Sequence, residues 1–177
     1  MNENITLTLK LSGELIAKRV YELAKEIERD YAGKEIVAVG VLNGAAIFFT
    51  DLIRHIDNDL LSIDFIRVSS YGNGTQSSHN LSFKKDIELD IKGKHLILIE
   101  DIVDSGFTMS KLRDMYSSRG AASVAVCALI NKTERREIDV KIDYAGFDME
   151  DGFIVGYGLD YAEKYRQLPA IYEVSFN

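Results

Sequence analysis

The chain has 177 residues, 46% of them hydrophobic, a net charge of −7 and one cysteine. That length holds one domain with a sizeable core, and no apolar run approaches the ~20 residues of a membrane-spanning helix. The acidic balance argues against nucleic-acid binding, which needs a basic face, so an anionic ligand would have to be met by local cations, metal or backbone amides. The opening residues, Met1-Asn-Glu-Asn-Ile5, lack the basic and apolar regions of a secretion signal. Cys127 sits in the apolar run Ala125-Val-Cys-Ala-Leu129 and reads as a core residue rather than a nucleophile. Both features predict a cytoplasmic protein.

In chain order, Ile16, Val20, Leu23 and Ile27 recur at helical spacing and predict an amphipathic helix over about 12–30. Residues 36–41 form a β-branched apolar run between Gly33 and Gly44, which predicts a buried strand. Phe48, Leu52 and Ile56 continue as a helix, and Leu61, Ile63 and Phe65 alternate as a second strand leading to Ser69-Ser70-Tyr71. Residues 72–82 are polar and without period, so a long loop of the kind used as a lid is expected there. A strand over 95–99 comes next, then a helix patterned by Met109, Leu112 and Met115 that stops at Gly120, then a strand over 124–130. Strands alternating with helices predict an α/β fold with a doubly wound, mostly parallel sheet. The tail differs: 144–147, 153–157 and 171–176 are short, aromatic and strand-like, and the single proline, Pro169, punctuates the last connection. The expected organisation is one domain over 1–177, with a core of about 12–143. A small hood would be formed by about 144–177 with part of the N-terminus.

The most informative stretch is Leu96-Ile-Leu-Ile-Glu-Asp-Ile-Val-Asp-Ser-Gly-Phe-Thr108. An apolar strand ends in the adjacent acids Glu100 and Asp101, at the carboxyl end where open α/β sheets bind ligands. Asp104, Ser105, Gly106 and Thr108 then form a phosphate-sized loop before a helix that Thr108 can cap. A helix N-terminus leaves N–H groups unpaired and carries partial positive charge. Gly106 permits close approach of a phosphate, and Ser105 and Thr108 add hydroxyl donors. Glu100 and Asp101 suit ribose hydroxyls or a magnesium ion with its waters.

This stretch resembles the ribose-phosphate loop of the type I phosphoribosyltransferases. The resemblance implies their fold and a site for 5-phosphoribosyl-1-pyrophosphate and Mg²⁺ at Glu100, Asp101, Asp104, Ser105, Gly106, Phe107 and Thr108. It extends along almost the whole chain and sharpens at four further places toward the hypoxanthine-guanine phosphoribosyltransferases. Val41-Leu-Asn-Gly-Ala45 matches the pyrophosphate turn, which implies a cis bond at Leu42–Asn43 and backbone donors from Asn43 and Gly44. Many relatives carry Lys or Arg where this chain has Asn43. Ser70-Tyr71 heads the loop that closes over the reaction centre in the family. Asn131-Lys-Thr-Glu-Arg-Arg136 resembles the base-recognition turn, in which Lys132 donates to the purine 6-oxo group. Arg135 and Arg136 are left outside the catalytic set.

Phe153-Ile-Val-Gly-Tyr-Gly-Leu-Asp-Tyr-Ala-Glu-Lys-Tyr-Arg166 matches the C-terminal signature. By that resemblance Phe153 stacks on the purine and the Ile154 backbone meets its edge. Asp160 lies by the purine and joins Glu100 and Asp101 around magnesium, through water, and Arg166 reaches pyrophosphate. The implied activity is transfer of phosphoribosyl to N9 of a 6-oxopurine, with Asp104 accepting the N7 proton, in a homo-oligomer (dimer or tetramer). Two alternatives stay open. One is a same-fold transferase for another base such as xanthine, and the other a non-catalytic regulator that senses the sugar phosphate.

Overall fold

Alternation inside apolar runs builds the central sheet. In the computed structural model, which describes residues 5–70 and 81–176, strand β2 (Ile36–Leu42) sends Ile36 and Ala38 to one hydrophobic cluster and Val37, Val39 and Val41 to another. Strand β5 (His95–Val103) splits in the same way, with Ile97 and Ile99 against Leu96 and Leu98. A strand apolar on both faces must be covered on both, which is the condition of a parallel sheet with helices on each side. Helices α1 (Gly13–Asp30) and α2 (Ala46–Ile53) cover the first face through Ile16, Val20, Leu23, Ile27, Phe48, Phe49 and Leu52. Helix α3 (Phe107–Ser118) covers the second through Met109, Leu112 and Tyr116. Ser12 caps α1, its hydroxyl accepting the Leu15 N–H at 3.2 Å.

The six-stranded sheet also holds β3 (Leu61–Ser70), β4 (Leu81–Lys85), β6 (Ser123–Lys132) and β7 (Tyr144–Met149), in the order β4-β3-β2-β5-β6-β7. All its pairings are parallel except β3 with β4. A second sheet, β1-β9-β8, joins β1 (Ile5–Leu11) to the C-terminal strands β8 (Ile154–Val155) and β9 (Ile171–Phe176). No helix among the described residues is long and apolar enough to cross a membrane.

Three elements differ from the sequence expectation. β7 belongs to the main sheet, parallel to β6, so the expected boundary near 144 shifts past Met149. Arg19 helps hold it there, donating to the Ala145 and Gly146 carbonyls on this edge strand at 2.8 and 3.2 Å. Leu81 and Ser82, expected in the loop, open strand β4 by pairing with Ser70 and Ser69. Finally, α3 begins after Gly106, in the left-handed region at φ 83°, with no side-chain cap. Thr108 lies in its first turn. Gly106 is required twice over, because a Cβ there would also overlap the Ile138 carbonyl.

Candidate active site

The parallel strands deliver their carboxyl ends to one edge, and two adjoining cavities open there. The smaller, about 140 Å³, is lined by Glu100, Ile102, Val103, Asp104, Ser105, Gly106, Thr108 and Met109. It lies at the N-terminus of α3, where unpaired amides and the helix dipole favour an anion. The larger, about 380 Å³, has Asp101, Asp104, Lys132, Phe153, Ile154 and Asp160 among its lining residues. Asp104 lines both cavities, and its Oδ1 is buried with no hydrogen-bond partner among the described residues. An unpaired buried carboxylate oxygen is costly and calls for a partner from outside the protein.

Among the described residues the two acids ahead of it are met by backbone N–H groups rather than by a basic side chain. Asp101 N–H donates to Glu100 Oε1 at 3.2 Å, and Ile102 N–H to Asp101 Oδ1 at 2.8 Å. Burial pushes the Glu100 carboxyl well above its ordinary range near 4.5, and the Asp101 charge beside it adds to the rise. Such a pair gains from a cation. The turn after β2 touches it: Leu42–Asn43 is cis, and a Cβ at Gly44 would overlap the Asp101 carboxylate.

The base-sized cavity is closed by the C-terminal segment. Lys132, at the end of β6, donates from Nζ to the Gly152 carbonyl at 2.5 Å, which fixes the ammonium at the cavity wall. Phe153 stays 44% exposed, its ring held by Tyr161 and Phe176 with centroids 5.6 and 5.9 Å away. Ile154 is buried and paired with Glu173 in β9. Asp160 accepts the Glu163 N–H at 2.8 Å and pairs with Arg166 at 2.8 Å. Arg166 also donates to the Gly158 carbonyl at 2.8 Å and lines neither cavity. Tyr157 ties this segment to α2, its hydroxyl donating to Asp51 at 2.7 Å.

Of the residues singled out in the sequence, the acid pair, Asp104, Ser105, Gly106, Thr108, Lys132, Phe153, Ile154 and Asp160 converge on these cavities. Gly44 joins them through Asp101, with Leu42 and Asn43 preceding it in the same turn, and Arg166 joins them through Asp160. Phe107 is the first residue of α3 and lines neither cavity. Ser70 closes β3, and Tyr71 lies outside the described residues. Sequence reasoning set Arg135 aside, although it lines the larger cavity, and missed Asp151 and Gly152 there and the Tyr161–Phe176 support of Phe153. The aromatic character of the tail was the only signal for that support.

A larger cleft, about 500 Å³, lies at the opposite edge among Lys25, Glu28, Gly33, Asp57 and Leu60. Within it Lys25 pairs with Glu28 at 2.7 Å, and Glu28 also accepts the Asp57 N–H at 2.9 Å.

The sequence pattern of the phosphoribosyl transferase domain matches residues 11–162. The chain is 43% identical over 171 residues to the hypoxanthine-guanine phosphoribosyltransferase of Streptococcus pneumoniae, covering 97% of this chain and 94% of that one. The Bacillus subtilis enzyme of the same name is 46% identical over 161 residues, covering 91% and 89%. A crystal structure of a hypoxanthine-guanine phosphoribosyltransferase from Bacillus anthracis superposes with a TM-score of 0.89 at 44% identity, covering 97% of this chain and 99% of that one. The cavities, the loop between them and these likenesses agree, and the chain belongs to the phosphoribosyl transferase domain family, among its hypoxanthine-guanine phosphoribosyltransferases.

Proposed function

We propose that the chain transfers the 5-phosphoribosyl group of phosphoribosyl pyrophosphate to N9 of hypoxanthine or guanine, releasing pyrophosphate, as a purine-salvage enzyme. The observation that carries this reading is the unpartnered buried oxygen of Asp104 on the wall shared by a phosphate-sized and a base-sized cavity. In the proposed complex the 5′-phosphate occupies the smaller cavity, with Ser105, Gly106, Phe107 and Thr108 around it. The purine lies in the larger one, stacked on Phe153 and bordered by the Ile154 backbone. Lys132 donates to its 6-oxo group, a position where the amino group of adenine offers only hydrogens. As N9 bonds to the anomeric carbon and the bond to pyrophosphate breaks, Asp104 accepts the N7 proton, and no covalent enzyme intermediate is required. Catalysis is then positioning plus electrostatics.

Glu100, Asp101 and Asp160 are the residues we assign to magnesium. Among the described residues no cluster of three or more metal-ligating side chains converges. That suits an ion which keeps its waters and takes one or two carboxylates together with substrate oxygens. When bound, Mg²⁺ supplies charge neutralisation at the pyrophosphate. Asn43, Gly44 and Arg166 are assigned to the pyrophosphate itself, with Leu42 fixing the turn. Ser70 and Tyr71 head the lid that would exclude water from the ribosyl centre.

The acidic composition and lone buried cysteine accord with work in the cytoplasm, and the family resemblance implies a homo-oligomer. The deciding experiment offers hypoxanthine, guanine, xanthine, adenine and uracil with phosphoribosyl pyrophosphate and Mg²⁺ and reads the nucleotide formed. Product from hypoxanthine and guanine is expected, and a preference for adenine or uracil would overturn the reading.

A further inference from the structure

Pairing of β5 with β6 ends at Val103 opposite Asn131. The next residue on each side is Asp104 and Lys132, so no ladder hydrogen bond fixes the spacing of these two. Among the described residues the Arg136 side chain spans the gap. Arg136 donates from Nε to the Asp104 carbonyl at 2.9 Å. From Nη2 it donates to the Lys132 carbonyl at 2.7 Å, the Asn131 Oδ1 at 2.6 Å and the Val103 carbonyl at 3.2 Å. Its stem packs on the ribose-phosphate loop, since a Cβ at Gly106 would lie 3.0 Å from Arg136 Cδ. The residues that follow are fastened to the same loop, with the Glu137 and Ile138 N–H groups both donating to the Ser105 carbonyl at 3.0 Å.

We infer that Arg136 is a positioning residue which fixes the distance between Asp104 and Lys132. The inference rests on the assignment of those two residues to the purine. N7 and O6 lie on one edge of a 6-oxopurine. A proton acceptor at N7 and a donor at O6 must therefore hold a constant spacing, although one follows β5 and the other ends β6, beyond the last pairing between those two strands. Arg136 takes over where the ladder stops, with two acceptors on each strand. A planar fork can bridge them in this way, whereas a lysine ammonium is a single point charge on a flexible stem. Arg136 touches neither base nor phosphate in this scheme, and it acts through the two backbones it holds.

The test uses the full chain with Arg136→Lys, alongside Lys132→Ala and the double variant. Misplacement by about 1 Å can cost roughly 10²-fold in rate. Arg136→Lys is expected to lower kcat for hypoxanthine on that order and to narrow the preference over adenine. The KM for phosphoribosyl pyrophosphate should stay within a few-fold. In the double variant the loss of preference should be less than the product of the single losses, because both act on one contact. If Arg136→Lys does not fold, Asn131→Ala removes one acceptor of the fork and should give the same pattern at smaller size. An unchanged preference in the variant that folds overturns the inference, as does an equal loss across both bases and the sugar phosphate. If Lys132→Ala itself leaves the preference intact, the base assignment fails and the inference with it. If Lys132→Ala shifts the preference and Arg136→Lys does not, only the role of Arg136 is lost.

Discussion

The Asp101 carboxylate lies against the α-carbon of Gly44, filling the space a Cβ would take, with its Cγ 2.6 Å from that position. On the other side, a Cβ at Gly158 would overlap the Gly44 carbonyl. One glycine thus sits between the acid pair of β5 and the C-terminal signature, and the turn after β2 closes only because it has no side chain. Gly44→Val is expected to displace Asp101 and abolish turnover. Asn43→Ala should keep most activity, since an uncharged amide adds little to an anion beyond what converging backbone N–H groups provide. Steady-state kinetics on both variants check this, and loss of pyrophosphate binding in Asn43→Ala with tolerance of Gly44→Val would reverse the assignment.

Asp104→Asn should preserve the fold, because no described residue hydrogen-bonds to its buried Oδ1. A positioned general base is typically worth about 10²–10⁴-fold, so kcat should fall by that order while phosphoribosyl pyrophosphate still binds. Near wild-type turnover would remove Asp104 from the reaction. Thermal melting of the same sample separates lost chemistry from lost structure.

Much of the molecule was legible where local chemistry decides the outcome. Ser12 ahead of Ile16, Val20, Leu23 and Ile27 marks both the start and the buried face of α1. The apolar run into Glu100-Asp101, followed by small residues, is enough by itself to mark a ligand loop. The rest depends on partners distant in sequence. Nothing in the composition of residues 144–149 says that they pair with β6 rather than with β9, because a six-residue strand carries too little pattern to choose a sheet. Leu81 and Phe83 alternate for too few residues to outweigh the polar segment before them. Thr108 looks like a cap until the left-handed turn at Gly106 starts the helix earlier. In Glu134-Arg-Arg, Arg136 reads as a residue of subunit contacts or of the loop's own structure, and only the end of the β5–β6 ladder beside it reveals what it bridges.

Lys132→Ala should weaken the preference for hypoxanthine over adenine and leave the affinity for phosphoribosyl pyrophosphate nearly unchanged. One hydrogen bond from a charged donor is worth about 1.5–3 kcal/mol, or roughly 10- to 150-fold in relative kcat/KM. The Gly152 carbonyl that now receives the ammonium borders the cavity, so the variant should stay folded. An unaltered base preference would make Lys132 a structural residue only.

Asp64 is the buried charged residue of the described core, 8% exposed. Burial pushes its carboxyl up. The Lys85 ammonium at 3.0 Å and the N–H groups of Phe65, Glu88 and Leu89 outweigh that and hold it below its ordinary value near 3.8. A depressed carboxyl contributes stability that is present above its unfolded pKa and lost as pH falls through its lower, folded pKa. Asp64→Ala leaves Lys85 with Glu88 and the Asp86 carbonyl but takes the carboxylate from the Phe65, Glu88 and Leu89 N–H groups, and a buried donor left without its acceptor costs about 1–3 kcal/mol. Urea denaturation at pH 7 should show that loss. The gap between variant and wild type should narrow progressively below pH 3.8. A gap independent of pH would mean that packing, not charge, is what Asp64 provides.

Asp160 divides its carboxylate between the Glu163 N–H and Arg166, and it borders the larger cavity as well. The ion pair is partly exposed, so its loss costs at most about 1 kcal/mol of stability. The larger effect of Asp160→Asn should fall on the metal, because a neutral amide is a poorer ligand, even through water, than a carboxylate. The Mg²⁺ concentration giving half-maximal rate should rise several-fold with little change in Tm. Arg166→Lys offers the contrasting case. It keeps the charge but loses the planar fork that holds Gly158 and Asp160 together. That variant should raise the KM for phosphoribosyl pyrophosphate more than the magnesium requirement. If Asp160→Asn leaves the magnesium dependence as it was and instead reproduces the Arg166→Lys kinetics, Asp160 serves to aim Arg166 and the ion is held by Glu100, Asp101 and substrate oxygens.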